Sequence, residues 1–233
     1  MWVIRRDWRY RTFLQLASRR GGRLLDVGCG TGNFLRLARD RDFDVAGVDA
    51  DRLAVQVARD RFGLSNTTFA TVEQLIAEPP AERYDLISLF DVLEHLADPV
   101  AVVQGLARLL TPEGYLVITV PSASRWPALF DPYVDAPPHH LTLWTPQALA
   151  ACIDHAGLRV RRVVASKVLG DDLLLHALWR FPALRKLGLL GTAATGAAYL
   201  VIAPALARLL SLSPRAKGFH LMGVCGSSTC DAH

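Results

Sequence analysis

The run Leu24-Leu25-Asp26-Val27-Gly28-Cys29-Gly30-Thr31-Gly32 constrains this chain more than any other feature. A short apolar stretch that reads as a buried strand passes without a spacer into glycines at alternate positions. Such glycines allow a tight turn and let a ligand touch bare backbone. The dinucleotide fingerprint G-x-G-x-x-G would require its third glycine at position 33. Position 33 is Asn, and the third glycine is Gly32. This spacing disfavours a pyrophosphate cradle at a helix N-terminus and suits a ligand that carries no phosphate.

The rest of the chain alternates strand and helix patterns. Residues 9–20 read as a leading helix and 24–27 as the first strand. A helix over 33–41 follows, with Phe34, Leu37 and Ala38 at helical spacing. Val45–Val48 reads as a second buried strand ending at Asp49. The next predicted helix, 51–62, places Leu53, Ala54, Val57 and Ala58 on one face. Strands are expected at 67–71, 84–89, 115–120, 159–165 and 221–225. Asp98-Pro99 and Thr145-Pro146 each offer an N-cap followed by proline at the first helical position, and Gly157 stops the second of these helices. Alternation of this kind implies parallel crossovers and a Rossmann-like, doubly wound α/β sheet. We expect seven strands, mostly parallel, with an antiparallel last strand and a hydrophobic helical insert before it. Ligands of such sheets bind beyond the carboxyl ends of the strands.

Asp49 ends the second strand, where a carboxylate can accept hydrogen bonds from both hydroxyls of a ribose. With the glycine loop, it points to S-adenosylmethionine as cofactor. The first-loop run resembles motif I of the class I methyltransferases. Tyr84-Asp85-Leu86-Ile87 with Phe90-Asp91-Val92-Leu93-Glu94-His95-Leu96 resembles the fourth-strand motif of the branch that contains the ubiquinone-biosynthesis O-methyltransferases. Leu109 to Leu116 is similar to that family's turn into strand five, and His139-His140-Leu141 through Leu158 to its closing segment. The likeness spans about residues 20–165, in the family's order. It implies that Gly28 and Gly30 line the methionine portion of the cofactor, Asp49 the ribose, and Phe90 a position beside it. The segment Ala70 to Leu75 would flank adenine, with Val72 where many members carry an acid. The candidate cofactor set is Asp26, Gly28, Cys29, Gly30, Asp49, Ala50, Val72, Glu73 and Phe90.

Methyl transfer from a sulfonium is a direct displacement, and the enzyme chiefly aligns the reactants and excludes water. An oxygen nucleophile must also lose a proton, so a histidine or carboxylate near the methyl is required. Asp91, Glu94 and His95, at i, i+3 and i+4, would face one side of a helical turn. His139 and His140 follow strand five and can approach the same pocket. The catalytic candidates are His95, His140 and Glu94. In the resembled O-methyltransferases an acid-x-x-Glu-His arrangement here is linked to a divalent metal, which would hold a catecholate-like oxygen. A hydrogen-bonded Glu94–His95 pair that only fixes the loop is the alternative, and the sequence assigns no metal ligand. The aromatic and proline-rich stretch from Pro121 to Trp144 is expected to form a lid or one wall of the acceptor site.

The chain has 233 residues, of which 51% are hydrophobic and 21% charged, and carries a net charge of +4. This fits one folded domain over 1–233 with a cofactor-binding core at 20–165. The positive charge is almost all arginine, and the arginine clusters read as solvated surface, because no nucleic-acid-binding motif accompanies them. Four scattered cysteines fit neither a zinc site nor a disulfide framework. The N-terminal arginines leave no apolar signal-peptide core. Mean hydropathy is high, +0.22, and its local source is the segment Leu187 to Ala207, which holds no charge. We read 171–212 as a hydrophobic helical insert, and over 187–207 a buried segment or one in peripheral membrane contact is favoured over a bilayer crossing. The expected partner is a small-molecule or lipid- or glycan-linked acceptor, in a cytoplasmic, membrane-peripheral setting. No feature of the sequence sets an oligomeric state. A non-catalytic cofactor-binding or scaffold protein and an NAD-dependent oxidoreductase are the competing readings, the latter opposed by Asn33.

Overall fold

The computed structural model describes residues 7–17, 21–125, 135, 137–167 and 217–226. The elements run α1 (Trp8–Ala17), β1 (Gly22–Val27), α2 (Asn33–Arg39), β2 (Phe43–Asp49), α3 (Arg52–Phe62), β3 (Thr67–Phe69), α4 (Val72–Ala77) and β4 (Tyr84–Phe90). A 3₁₀ turn at Leu93–His95 leads to α5 (Pro99–Ala107), β5 (Leu110–Pro121), α6 (Pro146–His155), β6 (Arg159–Lys167) and β7 (Lys217–Gly226). The expected insert at 171–212, its segment 187–207 and residues 126–134 and 136 of the stretch expected to form a lid lie outside the described residues. Among the described residues no helix is long and apolar enough to cross a membrane.

The strands form one seven-stranded sheet in the order β3-β2-β1-β4-β5-β7-β6. The pairs β1–β2, β1–β4, β2–β3 and β4–β5 are parallel. β7 is antiparallel to both neighbours and lies between β5 and β6. Each central strand is buried on both faces, as parallel sheets flanked by helices require. Leu24, Leu86 and Val117 pack with Phe13, Phe34, Leu35 and Ala38 on the α1–α2 side. Leu25, Ile87, Leu116 and Ile118 pack with Val103, Leu106, Leu149 and Ile153 of α5 and α6 on the other. Adjacent residues of one strand thus serve opposite cores, which fixes register: a slip by one would exchange the two sets. Asp26 shares the parity of Leu24 and points to the α1–α2 side.

Local chemistry sets the helix starts. Asp51 accepts from the amides of Leu53 and Ala54, and Gly63 ends α3 in the left-handed region. Asp98 caps α5 through the Ala101 amide, and Thr145 caps α6 through Ala148, each followed by proline. Two expectations need correction. The strand predicted over 67–71 stops at Phe69, because Thr71 and Gln74 form a reciprocal capping box that starts α4. The inward face of α3 is Val55 and Ala58, while Leu53 is 76% exposed and Val57 39%. The cap at Asp51 and the exit at Gly63 set the helix's phase, so the apolar residues at 53 and 57 turn outward. Cys29, Cys152 and Cys225 are free thiols.

One close approach ties the sheet to the glycine loop. A Cβ on Gly47 of β2 would stand 2.6 Å from Leu35 Cδ1 and 2.9 Å from Cys29 Sγ. Neither neighbour can retreat, because both are buried in the same cluster. Gly47→Ala is therefore expected to lower unfolding free energy by about 1–3 kcal/mol. A urea titration showing a reduced midpoint at unchanged slope would bear this out; an unchanged midpoint would show that α2 can move away freely.

Candidate cofactor and acceptor site

The carboxyl edge of the sheet gathers most of the residues singled out above. Gly28 has φ 77°, and a Cβ there would collide with Val92 Cγ2, so the loop after β1 packs directly on the loop after β4. The loop is laced to β2: the Gly28 and Cys29 amides donate to Val48 O at 2.8 and 3.1 Å. The Gly30 amide donates to Asp49 Oδ2 at 2.6 Å, and the Asp51 amide to Asp49 Oδ1 at 2.8 Å. Amides turned onto protein oxygens are not offered to a phosphate, which is the geometric counterpart of the Asn33 argument. Each Asp49 oxygen retains a further lone-pair direction for a hydroxyl.

A cavity of about 320 Å³ opens beside this loop, and its walls include Gly28, Asp49, Ala50, Val72, Glu73, Val92 and His95. Five of the nine candidate cofactor residues thus meet at one cavity. Asp26, Cys29, Gly30 and Phe90 are not among its walls. Cys29 turns its thiol into the α2 core, where burial pushes its pKa up. Phe90 joins an aromatic cluster, 4.9 Å from Phe34, 5.4 Å from Tyr10 and 5.7 Å from Phe13 by ring centroids. Asp26 is fully enclosed and accepts from Ser88 Oγ at 2.6 Å. Burial pushes its carboxyl up to about 7, against the Ser88 hydrogen bond and with the aid of the Asp49 charge.

The catalytic candidates Glu94, His95 and His140 do converge: each offers a ligand atom within 4.8 Å of the other two. His95 Nδ1 lies 2.6 Å from the carbonyl of His139, and the His95 and His140 rings stand edge to face at 5.1 Å. The amides of Leu141 and Thr142 donate to Glu94 O at 2.8 and 3.2 Å, which fastens the segment bearing His140 to the turn bearing Glu94. Glu94 is 1% exposed, and its Oε2 has no hydrogen-bond partner. Burial, aided by the Asp91 charge, pushes its carboxyl up to about 8. Burial and the neighbouring His95 lower the pKa of His140.

Asp91 departs from expectation. It precedes the 3₁₀ turn with φ 53°, so it does not share a face with Glu94 and His95. Its Oδ1 accepts from Thr119 Oγ1 at 2.9 Å, and its Oδ2 is ion-paired with Arg9 and lies 3.3 Å from His220 Nε2. Burial alone would raise its pKa, but His220, Arg9 and Thr119 outweigh it and bring the carboxyl to about 2. Sequence reasoning did not single out Arg9 and His220. Arg9 was counted with surface charge, and His220 lay just outside the predicted last strand.

A glycine loop, a strand-end aspartate and an adjacent cavity define a nucleoside-cofactor enzyme of the Rossmann-like class. A family model described as a methyltransferase domain matches residues 4–163. The chain belongs to this methyltransferase family, and S-adenosylmethionine is its cofactor. It is 35% identical over 108 residues to a ubiquinone biosynthesis O-methyltransferase of Alkalilimnicola ehrlichii, a match covering 45% of this chain and 43% of that protein. It is 29% identical over 158 residues to the same-named protein of Marinobacter nauticus, covering 61% and 66%. The chain thus matches less than two thirds of the length of these relatives. A SAM-dependent methyltransferase from Archaeoglobus fulgidus superposes with a TM-score of 0.64 at 17% identity, covering 93% of this chain and 90% of that one.

The raised pKa of Asp26 has a testable sign. An acid whose pKa rises on folding contributes stability that is complete below its unfolded value, near 4, and is lost as pH rises through about 7. Asp26→Asn removes this dependence while retaining an acceptor for Ser88. Its stability relative to the native chain should rise between pH 4 and 7 and level off above, by about 4 kcal/mol. Urea midpoints of both proteins across this range provide the test, and a pH-independent difference would overturn the assignment.

Proposed function

We propose that the chain transfers a methyl group from S-adenosylmethionine to an oxygen of a small, apolar-bodied or lipid- or glycan-linked acceptor. The observation that carries this reading is the double membership of His95. It lines the cavity beside Asp49 and belongs to the Glu94–His95–His140 cluster. A methyl donor bound there would lie next to groups able to remove or stabilise the charge of an acceptor hydroxyl. The adenosine part would occupy the cavity of Asp49, Ala50, Val72 and Glu73, with Gly28 and Gly30 toward the methionine part. Asp26 lies behind that loop and would act on the methionine end through charge. The exposed Leu141 and Leu143, 50% and 55% accessible, flank the segment of His140 and suit an acceptor with an apolar body. The named O-methyltransferase relatives support oxygen as nucleophile. A cytoplasmic, membrane-peripheral setting is compatible with such an acceptor.

One experiment tests the cofactor half directly. Calorimetric titration with S-adenosylhomocysteine should give micromolar binding, with no heat from NAD. Asp49→Ala should weaken the S-adenosylhomocysteine affinity about 100-fold, the loss of two charge-assisted hydrogen bonds. Equal affinity of the variant would remove Asp49 from the site. No binding by the native chain would remove the reading as a whole.

A further inference from the structure

We infer that the cleft between α4 and the sheet face of β1, β2 and β3 is a second small-molecule site, selective for a compact aromatic amine, and that it is coupled to the cofactor cavity through α4. The site stands apart from the Asp49 cavity, and ligand binding there depends neither on the acceptor nor on the reaction.

The cleft follows from the length of α4. This helix has six residues, and its capping box fixes where it starts. Beyond it the chain runs through Pro79 and Pro80, which cannot supply amides to a further helical turn. About one and a half turns of helix do not cover three strands. What remains is a cavity of about 560 Å³, larger than the 320 Å³ beside Asp49 and within the range of small-molecule sites, roughly 300–1,000 Å³. Its floor is Leu25 of β1 with Ala46 and Val48 of β2, and Leu75 of α4 forms a wall. All four belong to the core cluster on this side of the sheet, so the floor is apolar. Ala46 stands opposite Leu25 in register, and its short side chain deepens the cleft.

The remaining lining gives the ligand's chemistry. Phe69 and Tyr84 add ring surface, which suits an aromatic body. Charge then selects its sign. Among the described residues of the lining, Arg23 is the one cation, and it is already engaged. Its guanidinium lies 3.3 Å from Asp44 and 3.9 Å from Glu82, and 5.7 Å from the Tyr84 ring. Glu78 lines the same cleft, is exposed, and has no ion-pair partner among the described residues. The lining thus holds two carboxylates against one cation, and the Glu78 carboxylate is available to an ammonium group. An anionic ligand would meet repulsion at the same place.

The coupling rests on the double use of α4. Val72 and Glu73 wall the Asp49 cavity, whereas Gln74, Leu75 and Ala77 wall the cleft. Val48 and Ala70 belong to both. A helix this short has little stability of its own and is held by the packing of Val72 and Leu75 on the core. A ligand seated against Leu75 adds packing to that helix, and so favours the arrangement in which Val72 and Glu73 receive the cofactor. By linkage the effect is reciprocal.

The test uses the full chain and three probes that share one ring system: cationic tryptamine, neutral indole and anionic indole-3-acetate, at neutral pH. Calorimetry should give one equivalent of tryptamine at submillimolar affinity, about tenfold tighter than indole-3-acetate, with indole between the two. Saturating tryptamine should tighten S-adenosylhomocysteine binding about fivefold. Glu78→Gln, at an exposed position, should narrow the ratio of tryptamine to indole-3-acetate affinity about threefold. Ala46→Leu fills the cleft and should weaken tryptamine binding about tenfold; its S-adenosylhomocysteine titration reports whether it is folded. The site is overturned by absence of tryptamine binding, by equal affinities of the three probes, or by unchanged tryptamine affinity in Ala46→Leu. Displacement of tryptamine by S-adenosylhomocysteine would place the probe in the cofactor cavity and overturn it too. An S-adenosylhomocysteine affinity that ignores tryptamine overturns the coupling. Tryptamine binding by a chain that binds no S-adenosylhomocysteine removes the cofactor reading, and the coupling with it, but upholds the site.

Discussion

The hydrogen bonds between the glycine loop and the end of β2 are the interaction on which the rest of the site depends. Val48 O receives the Gly28 and Cys29 amides, and Asp49 receives the Gly30 and Asp51 amides. Four bonds of about 1 kcal/mol each, two of them to a charged acceptor, hold a loop whose glycines would otherwise sample many conformations. With that loop fixed, Gly28 can abut Val92, and the turn carrying Glu94 and His95 is set against the cavity beside Asp49. Cys29 anchors the same loop from beneath, by seating its thiol over Gly47 beside Leu35. The cavity is thus shaped by backbone bonds above the sheet and by packing below it.

A second constraint lies one strand over. At the end of β4 the chain must turn from a buried strand into a 3₁₀ turn, and Asp91 does this in a left-handed conformation that non-glycine residues rarely adopt. The surroundings hold it there by three partners drawn from α1, β5 and β7. Arg9 comes with a helix whose Tyr10 and Phe13 also pack on Phe34 and Phe90. Each such aromatic pair contributes about 0.5–1.5 kcal/mol, so α1 is docked by ring packing as much as by charge. Asp91 lies within electrostatic reach of Glu94, and its charge adds to burial in raising the Glu94 carboxyl.

The sheet and the gathering of the singled-out residues at its carboxyl edge were legible in the sequence because local signals decide them. Alternate glycines, Asp49 at a strand end, and the Asp98-Pro99 and Thr145-Pro146 caps each act within a few residues. The same is true of continuous apolar strands such as Leu24–Val27. Where the reading failed, a non-local choice was involved. The face of α3 depends on helix phase against the core, so Leu53 and Val57 could not be told from Val55 by spacing alone. Asp91, Glu94 and His95 share helical spacing, but the turn that would align them begins two residues after Asp91. The capping box at Thr71 was readable, with Gln74 three positions on, and would have ended β3 at the right place.

The least legible feature is the one that topology alone creates. β7 follows β6 in sequence but inserts between β5 and β6, pairing Pro121 with His220 at the carboxyl edge of β5. Only this insertion brings a residue near the end of the chain to Asp91, which is 129 positions earlier in sequence. A motif scan that stops at β4 reads acid-x-x-Glu-His as one ligand set. The folded edge divides it, because Arg9, Thr119 and His220 compete for the acid and win it by proximity. His140 reaches Glu94 and His95 by the opposite route, through backbone bonds from its own neighbours. The chemistry of this edge is therefore set by which strands lie side by side there, and the family motif supplies only part of it.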